Sequence, residues 1–129
     1  MAGIPEDRLY TEEHEWALNA DGIVVVGITD HAQDALGDIT YVELPEAGDE
    51  LTINQGFGEV ESNKSVSQLF APIGGEVIEV NGDLGDAPET LNDDPYGEGW
   101  LIKIAPMDPN ELQNLMTHEE YSQFIEELD

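Results

Sequence analysis

Lys64 is one of three basic side chains in a chain that carries 30 acidic ones; the others are Arg8 and Lys103. A lysine amine can act as a nucleophile or accept an acyl group. The first role needs a pKa lowered by burial or by neighbouring cations. Here Glu59 and Glu61 lie close in sequence and favour the charged form, so a Schiff-base role fits poorly. The second role asks only that another protein can reach the amine. The run Gly56 to Phe70 reads as a β-hairpin with Asn63-Lys64 at its turn. That register sets Phe57 opposite Phe70 and Val60 opposite Ser67, with Lys64 in the open at the tip. An exposed lysine is ordinarily solubilising decoration, but that reading loses weight in a chain that otherwise avoids lysine.

Other candidate chemistry is thin. Gly56-x-Gly58 begins a dinucleotide fingerprint, but Glu61 stands where the third glycine belongs and no helix follows. Asn63-Lys64-Ser65 matches a glycosylation triplet that a cytoplasmic chain would not present to the modifying machinery. His14, His31 and His118 lack His-Glu-x-x-His spacing and read as surface or capping residues. No Gly-x-Ser-x-Gly elbow appears. With no cysteine, thiolate catalysis, disulfides and Cys-type zinc sites are excluded.

The net charge of −27 opposes compaction in ordinary buffer, whereas 40% hydrophobic residues and two tryptophans argue for a globular fold. Concentrated salt reconciles the two, because the screening length falls to about 3 Å near 1 M. The acidic residues are spread along the chain rather than gathered in a tail, which fits a halophile-type cytosol. The cooperative native fold is therefore expected in molar salt and expected to be lost in dilute buffer. Circular dichroism over a salt series checks this, and a fully cooperative fold in dilute buffer would count against it. There is no basic patch for nucleic acid or for an anionic membrane surface. No apolar stretch approaches the roughly 20 residues of a membrane span, and no signal peptide is read at the start. The expected compartment is the cytoplasm.

The elements that must position Lys64 read as mainly β, in one domain over residues 1–129. A loose start over 1–7 precedes strands at 15–18 and 23–28, joined through the hairpin signal Asp21-Gly22. A short helix follows, with Asp30 as N-cap, Gln33 three residues on and Gly37 as its stop. Alternation predicts a strand over 39–44. Gly74-Gly75 turns the chain into a strand over 76–80, residues 81–99 read as an ordered loop, and 100–104 as the last strand. Capping boxes at Asp108–Glu111 and Thr117–Glu120 start two helices. In the second, Tyr121, Phe124, Ile125 and Leu128 form an apolar face against the domain. Many short strands with Gly and Pro turns predict a small sandwich or barrel.

Glu61-Ser62-Asn63-Lys64-Ser65 resembles the lipoylation site of the glycine cleavage system H-protein family. Further blocks agree in order: His14-Glu15-Trp16, Gly27 to Asp34, Leu36-Gly37-Asp38, Val42-Glu43-Leu44-Pro45, Ala71 to Val77 and Pro95 to Trp100. The family usually has valine before the lysine and alanine after it; here they are Asn63 and Ser65, and Asn tolerates a left-handed turn.

The resemblance implies a lipoyl-type barrel-sandwich hybrid of two antiparallel sheets, with a short helix after the early strands and helices at the C-terminus. It implies lipoic acid joined to Lys64 by an amide bond. The carrier itself would catalyse nothing. Its partners would be the pyridoxal-phosphate glycine decarboxylase, which loads an aminomethyl group, the aminomethyltransferase, which passes the carbon to tetrahydrofolate, dihydrolipoamide dehydrogenase, and a lipoate-attaching enzyme. The chain is expected to be monomeric. Glu13, Glu15 and Ser67 are the candidates to shelter the cationic amine of the loaded arm. A lipoyl storage or relay protein of the same build is the alternative.

Overall fold

In the computed structural model, which describes residues 4–128, nine strands form two antiparallel sheets. The larger orders its strands β1 (Leu9–Tyr10), β2 (Glu15–Ala20), β3 (Ile23–Ile28), β9 (Ile102–Pro106), β8 (Gly75–Val80) and β5 (Glu50–Leu51). The smaller orders β4 (Ile39–Glu43), β6 (Gly56–Ser62) and β7 (Val66–Phe70). The barrel-sandwich expectation holds.

At β2 and β3 both faces of the large sheet are covered, which explains the apolar run Ile23–Ile28. Ala17, Val24 and Val26 face the main core with Ile104, Val60 and Leu69. Trp16, Leu18 and Val25 belong to a second, aromatic cluster with Tyr10 and Tyr121. That cluster lies under α3 (His118–Leu128), whose Phe124 and Ile125 pack on it; Leu128 is exposed and does not join the apolar face as expected. Asp21 and Gly22, at φ 54° and 90°, make the tight turn between β2 and β3.

The hairpin register differs from the expectation at one point. Val60 pairs with Ser67, but Gly56 pairs with Phe70 and Gly58 with Leu69, leaving Phe57 as the extra residue of a β-bulge. Phe57 and Val60 are both buried, and three residues of regular strand would place them on opposite faces. The same device in β4 brings Ile39 and Val42 both inward, so the expected alternation over 39–44 is broken at Thr40.

Other corrections are local. The N-cap of α1 (Asp30–Leu36) is Thr29, not Asp30; its extended backbone lets Oγ1 accept from the Ala32 amide, while Asp30 accepts from the Gln33 side chain. The 81–99 segment contains a 3-10 turn at Gly82–Gly85 and a short helix α2 (Thr90–Asp93). The last strand begins at Ile102 rather than Trp100. Asp108 caps a 3-10 helix over Pro109–Asn114, but Glu111 turns away to accept from the Gly74 amide. The Thr117–Glu120 box closes reciprocally. Of the loose start expected over 1–7, residues 1–3 lie outside the described residues; the rest is tied down, with Ile4 packed on the aromatic cluster and Pro5 accepting from Tyr10 Oη.

Candidate functional site

The turn at the tip of β6–β7 is built by a serine. The Ser62 amide donates to the Ser65 carbonyl at 2.9 Å, and Ser62 Oγ accepts from the amides of Lys64 (3.3 Å) and Ser65 (3.2 Å). Asn63 donates its amide to the Asp38 carbonyl at 3.3 Å, docking the tip on the start of β4. Among the described residues the non-glycine positions with positive φ are His14, Asp21 and Asn54. Asn63 therefore makes no use of its tolerance for left-handed backbone, because the Ser62 hydroxyl closes the turn instead.

The tip rests on a pinned support. Gly37 ends α1 at φ 85° and donates to the Gln33 carbonyl at 2.9 Å. Asn92 then staples α1 to β4: its Nδ2 donates to the Gly37 carbonyl (2.8 Å) and to Gln33 Oε1 (3.0 Å), and its Oδ1 accepts from the Ile39 amide (2.9 Å). The Lys64 stem lies over Gly37, where a Cβ would come within 2.9 Å of Lys64 Cε. Sequence reasoning missed Ser62 and Asn92; Ser62, three residues before Ser65 across a turn, carried a readable signal, whereas Asn92 is distant in sequence from everything it holds.

The three basic residues now separate by role. The Arg8 guanidinium stacks over the rings of Trp16 (4.6 Å) and Tyr96 (5.6 Å), bonds the Tyr96 carbonyl and pairs with Asp7. Lys103 Nζ lies 3.4 Å from Glu79 Oε1 and 4.8 Å from the Trp100 ring. Lys64 is exposed, and among the described residues it is the basic side chain with no ion pair. An exposed amine without a charge partner, on a tethered turn, suits covalent attachment of an acyl group from another protein.

The remaining candidates are not gathered in one open cleft. Glu15 faces inward beside Ala17 and is only 1% exposed. Its Oε2 accepts from the Phe70 amide at 2.6 Å and its Oε1 from Thr11 Oγ1 at 3.4 Å, so it ties β2 to the base of the hairpin. Burial pushes the Glu15 carboxyl up to about 8, against the opposing pull of the Phe70 amide. Glu13 is exposed at the rim of a cleft of about 410 Å³ that Thr11, Asn54 and Met116 also line. Ser67 is exposed on β7, three residues from Phe70 and so about 10 Å up the strand from Glu15's contact.

Two histidines come together, contrary to the reading of scattered surface residues. His14 and His31 pack with ring centroids 4.5 Å apart and planes tilted by 31°, and His14 Nδ1 pairs with Tyr121 Oη at 2.9 Å, which in turn meets Thr29 Oγ1 at 2.7 Å. Burial first, then the neighbouring His31, lowers the His14 pKa. This chain locks α3 to the entry of α1 and holds no metal geometry; among the described residues no group of three or more metal-ligating side chains converges. Among the described residues no helix is long and apolar enough to cross a membrane.

The model of the family described as glycine cleavage H-protein matches residues 8–128. The glycine cleavage system H protein of Anaeromyxobacter sp. (strain K) is 59% identical over 124 residues, covering 96% of this chain and 97% of that one. That of Oceanobacillus iheyensis is 52% identical over 124 residues, covering 96% and 98%. The crystal structure of a glycine cleavage system H protein from Mycobacterium marinum superposes with a TM-score of 0.88 at 43% identity, covering 95% of this chain and 99% of that chain.

Proposed function

The chain belongs to the glycine cleavage H-protein family, and we propose on that premise that Lys64 is the residue that holds its lipoyl group. Members of the family carry a lipoyl group on a lysine, and this chain acts as the lipoyl-carrying shuttle of the glycine cleavage system. The observation that carries the Lys64 assignment is the contrast among the three cations: Arg8 and Lys103 are engaged by neighbouring rings and carboxylates, whereas Lys64 stands exposed on a turn without an ion pair among the described residues.

When bound, the lipoyl group supplies a reducible disulfide on a long flexible arm that takes an aminomethyl group from one enzyme to the next. The chain's own part is to hold the root of that arm. Ser62 fixes the turn, Asn63 and Asp38 fix the turn to β4, and Asn92 fixes β4 to α1. The tether raises the local concentration of the arm at each partner, without any catalytic step on the carrier. The partners we assign are glycine decarboxylase, the aminomethyltransferase, dihydrolipoamide dehydrogenase and a lipoate-attaching enzyme, met by a monomeric single-domain carrier in the cytoplasm. Glu13 and Ser67 offer polar atoms at the surface for the cationic amine of a loaded arm. Glu15, buried against the Phe70 amide, is closed to that amine and braces the base of the hairpin instead.

Intact mass spectrometry of the protein from its own host, with peptide mapping, tests the assignment. The expected result is a lipoyl increment on Lys64 and none on Lys103; an unmodified Lys64 throughout would overturn it.

A further inference from the structure

The outer face of the three-stranded sheet takes no part in the core, yet it is not an ordinary polar surface. Residues directly opposed across antiparallel strands share a face and sit about 5 Å apart. Val42, Val60 and Ser67 form one such row; its two valines are buried and look inward, while Ser67, on the edge strand, is exposed. The rows on either side look outward: Tyr41–Glu61–Val66 and Glu43–Glu59–Gln68. Tyr41 is 50% exposed and Val66 59%, and they flank Glu61 beside the turn that carries Lys64. The other exposed large apolar side chains, Ile78, Met107 and Leu128, lie outside this sheet. In the second row Glu43 and Glu59 oppose each other directly, a like-charge pairing that weakens a sheet. Among the described residues neither ion pair of the protein involves these carboxylates.

We propose that this face, with Tyr41 and Val66 as its apolar contacts, is the docking surface for the enzyme that acylates Lys64, and that this enzyme presents an apolar surface bordered by cations. The proposal rests on the assignment of Lys64 above. The choice of partner follows from reach. Enzymes that act on a loaded arm meet it at its far end, so they need not cover the turn. The enzyme that forms the amide must bring an activated lipoyl carbonyl to within bonding distance of Nζ, one lysine side chain from the backbone. The neutral amine attacks that carbonyl, the activating group leaves with its bonding electron pair, and the amine's second proton passes to a base of the enzyme. Whatever encloses Lys64 so closely also covers the outward row that begins two residues away at Val66. Tyrosine supplies a large rigid contact, and the glutamates around it match a cationic rim. In molar salt charges act only near contact, so the apolar row supplies the larger share of the affinity.

The test uses the full chain, unmodified, with the purified attaching enzyme. Initial rates of adduct formation are read by intact mass, and affinity is read by calorimetry. The double variant Tyr41→Ser with Val66→Ser should raise KM by about tenfold or more with kcat little changed. Tyr41→Phe alone should match the native chain, and so should Ile78→Ser, an exposed apolar loss on the other sheet. Lys64→Arg should bind the enzyme with native affinity while accepting no lipoyl group. An unchanged KM in the double variant, or an equal rise with Ile78→Ser, overturns the proposal. So does normal lipoylation accompanied by weakened coupling to the decarboxylase, which would give the face to that enzyme. An adduct on a residue other than Lys64 overturns the underlying assignment instead, and peptide mapping distinguishes that failure from a failure of docking.

Discussion

Lys64→Arg is expected to leave the fold unchanged and to abolish the lipoyl adduct, and with it glycine cleavage. The side chain is exposed and makes no ion pair among the described residues, so its replacement by another cation should move stability by no more than about 0.5 kcal/mol. Arginine keeps the positive charge at the tip, which leaves the electrostatics of the turn as they are. Its guanidinium stays protonated and offers no amine to an activated acyl carbon. Without the amide the arm is no longer tethered, and the effective concentration that tethering gives, in the millimolar range for short flexible linkers, disappears. Glycine-dependent carbon dioxide release with the partner enzymes should fall by about three orders of magnitude or more, to the level set by free lipoate. Lys103→Arg is the matched control. It keeps a cation near Glu79 and over Trp100, and should retain full activity. Turnover surviving in the Lys64 variant would place the working group elsewhere.

Lys64 stands out as a candidate in the sequence because composition isolates it. Where nearly every cation has been removed, each remaining one answers to a local cause, and the structure supplies those causes for Arg8 and Lys103. The two-sheet fold was legible for a related reason: Asp21-Gly22 and Gly74-Gly75 punctuate runs whose strand character is strong. What escaped was parity. Phe57 with Val60, and Ile39 with Val42, are apolar pairs three apart, and only a bulge lets a strand bury both members. Spacing of this kind reads equally as helical or as interrupted strand, so pattern alone does not decide it. Contacts far apart in sequence also escaped. Asn92 on α1 and β4, Glu111 on Gly74, and His14 on Tyr121 join segments 37 or more residues apart. No local pattern announces any of them.

Glu15 illustrates the same limit with the largest consequence for stability. As a sequence feature it is a glutamate in an acidic protein, next to a histidine and a tryptophan, and it suggests an accessible carboxylate. In the fold it is an inward residue of β2, paired with Ile28 and held against the Phe70 amide at 2.6 Å. Glu15→Ala removes the acceptor of that amide and leaves a void in a buried site, so a loss of about 2–4 kcal/mol is expected. Glu15→Gln keeps an acceptor in place and removes the titration. The pH dependence carries the sharper test. The folded carboxyl ionises near 8 and the unfolded one near 4.5, so the folded state binds the extra proton between these values. The contribution is therefore complete below 4.5 and declines as pH rises through 8, by at most about 1.4 kcal/mol per pH unit. Denaturant titrations in molar salt give the unfolding free energy of the native chain minus that of the Gln variant. That difference should fall from pH 5 to pH 8 by about 2 kcal/mol or more, while the titrations of the other carboxylates and of His14 cancel. A difference that is flat or rising across this range would mean that Glu15 is ionised in the fold and draws its place from the Phe70 hydrogen bond alone. If the decline is seen, raising the pH also loosens the base of the hairpin that carries Lys64. Amide exchange at Phe70 should then quicken between pH 5 and 8 beyond its intrinsic dependence in the native chain, and keep to that dependence in the Gln variant.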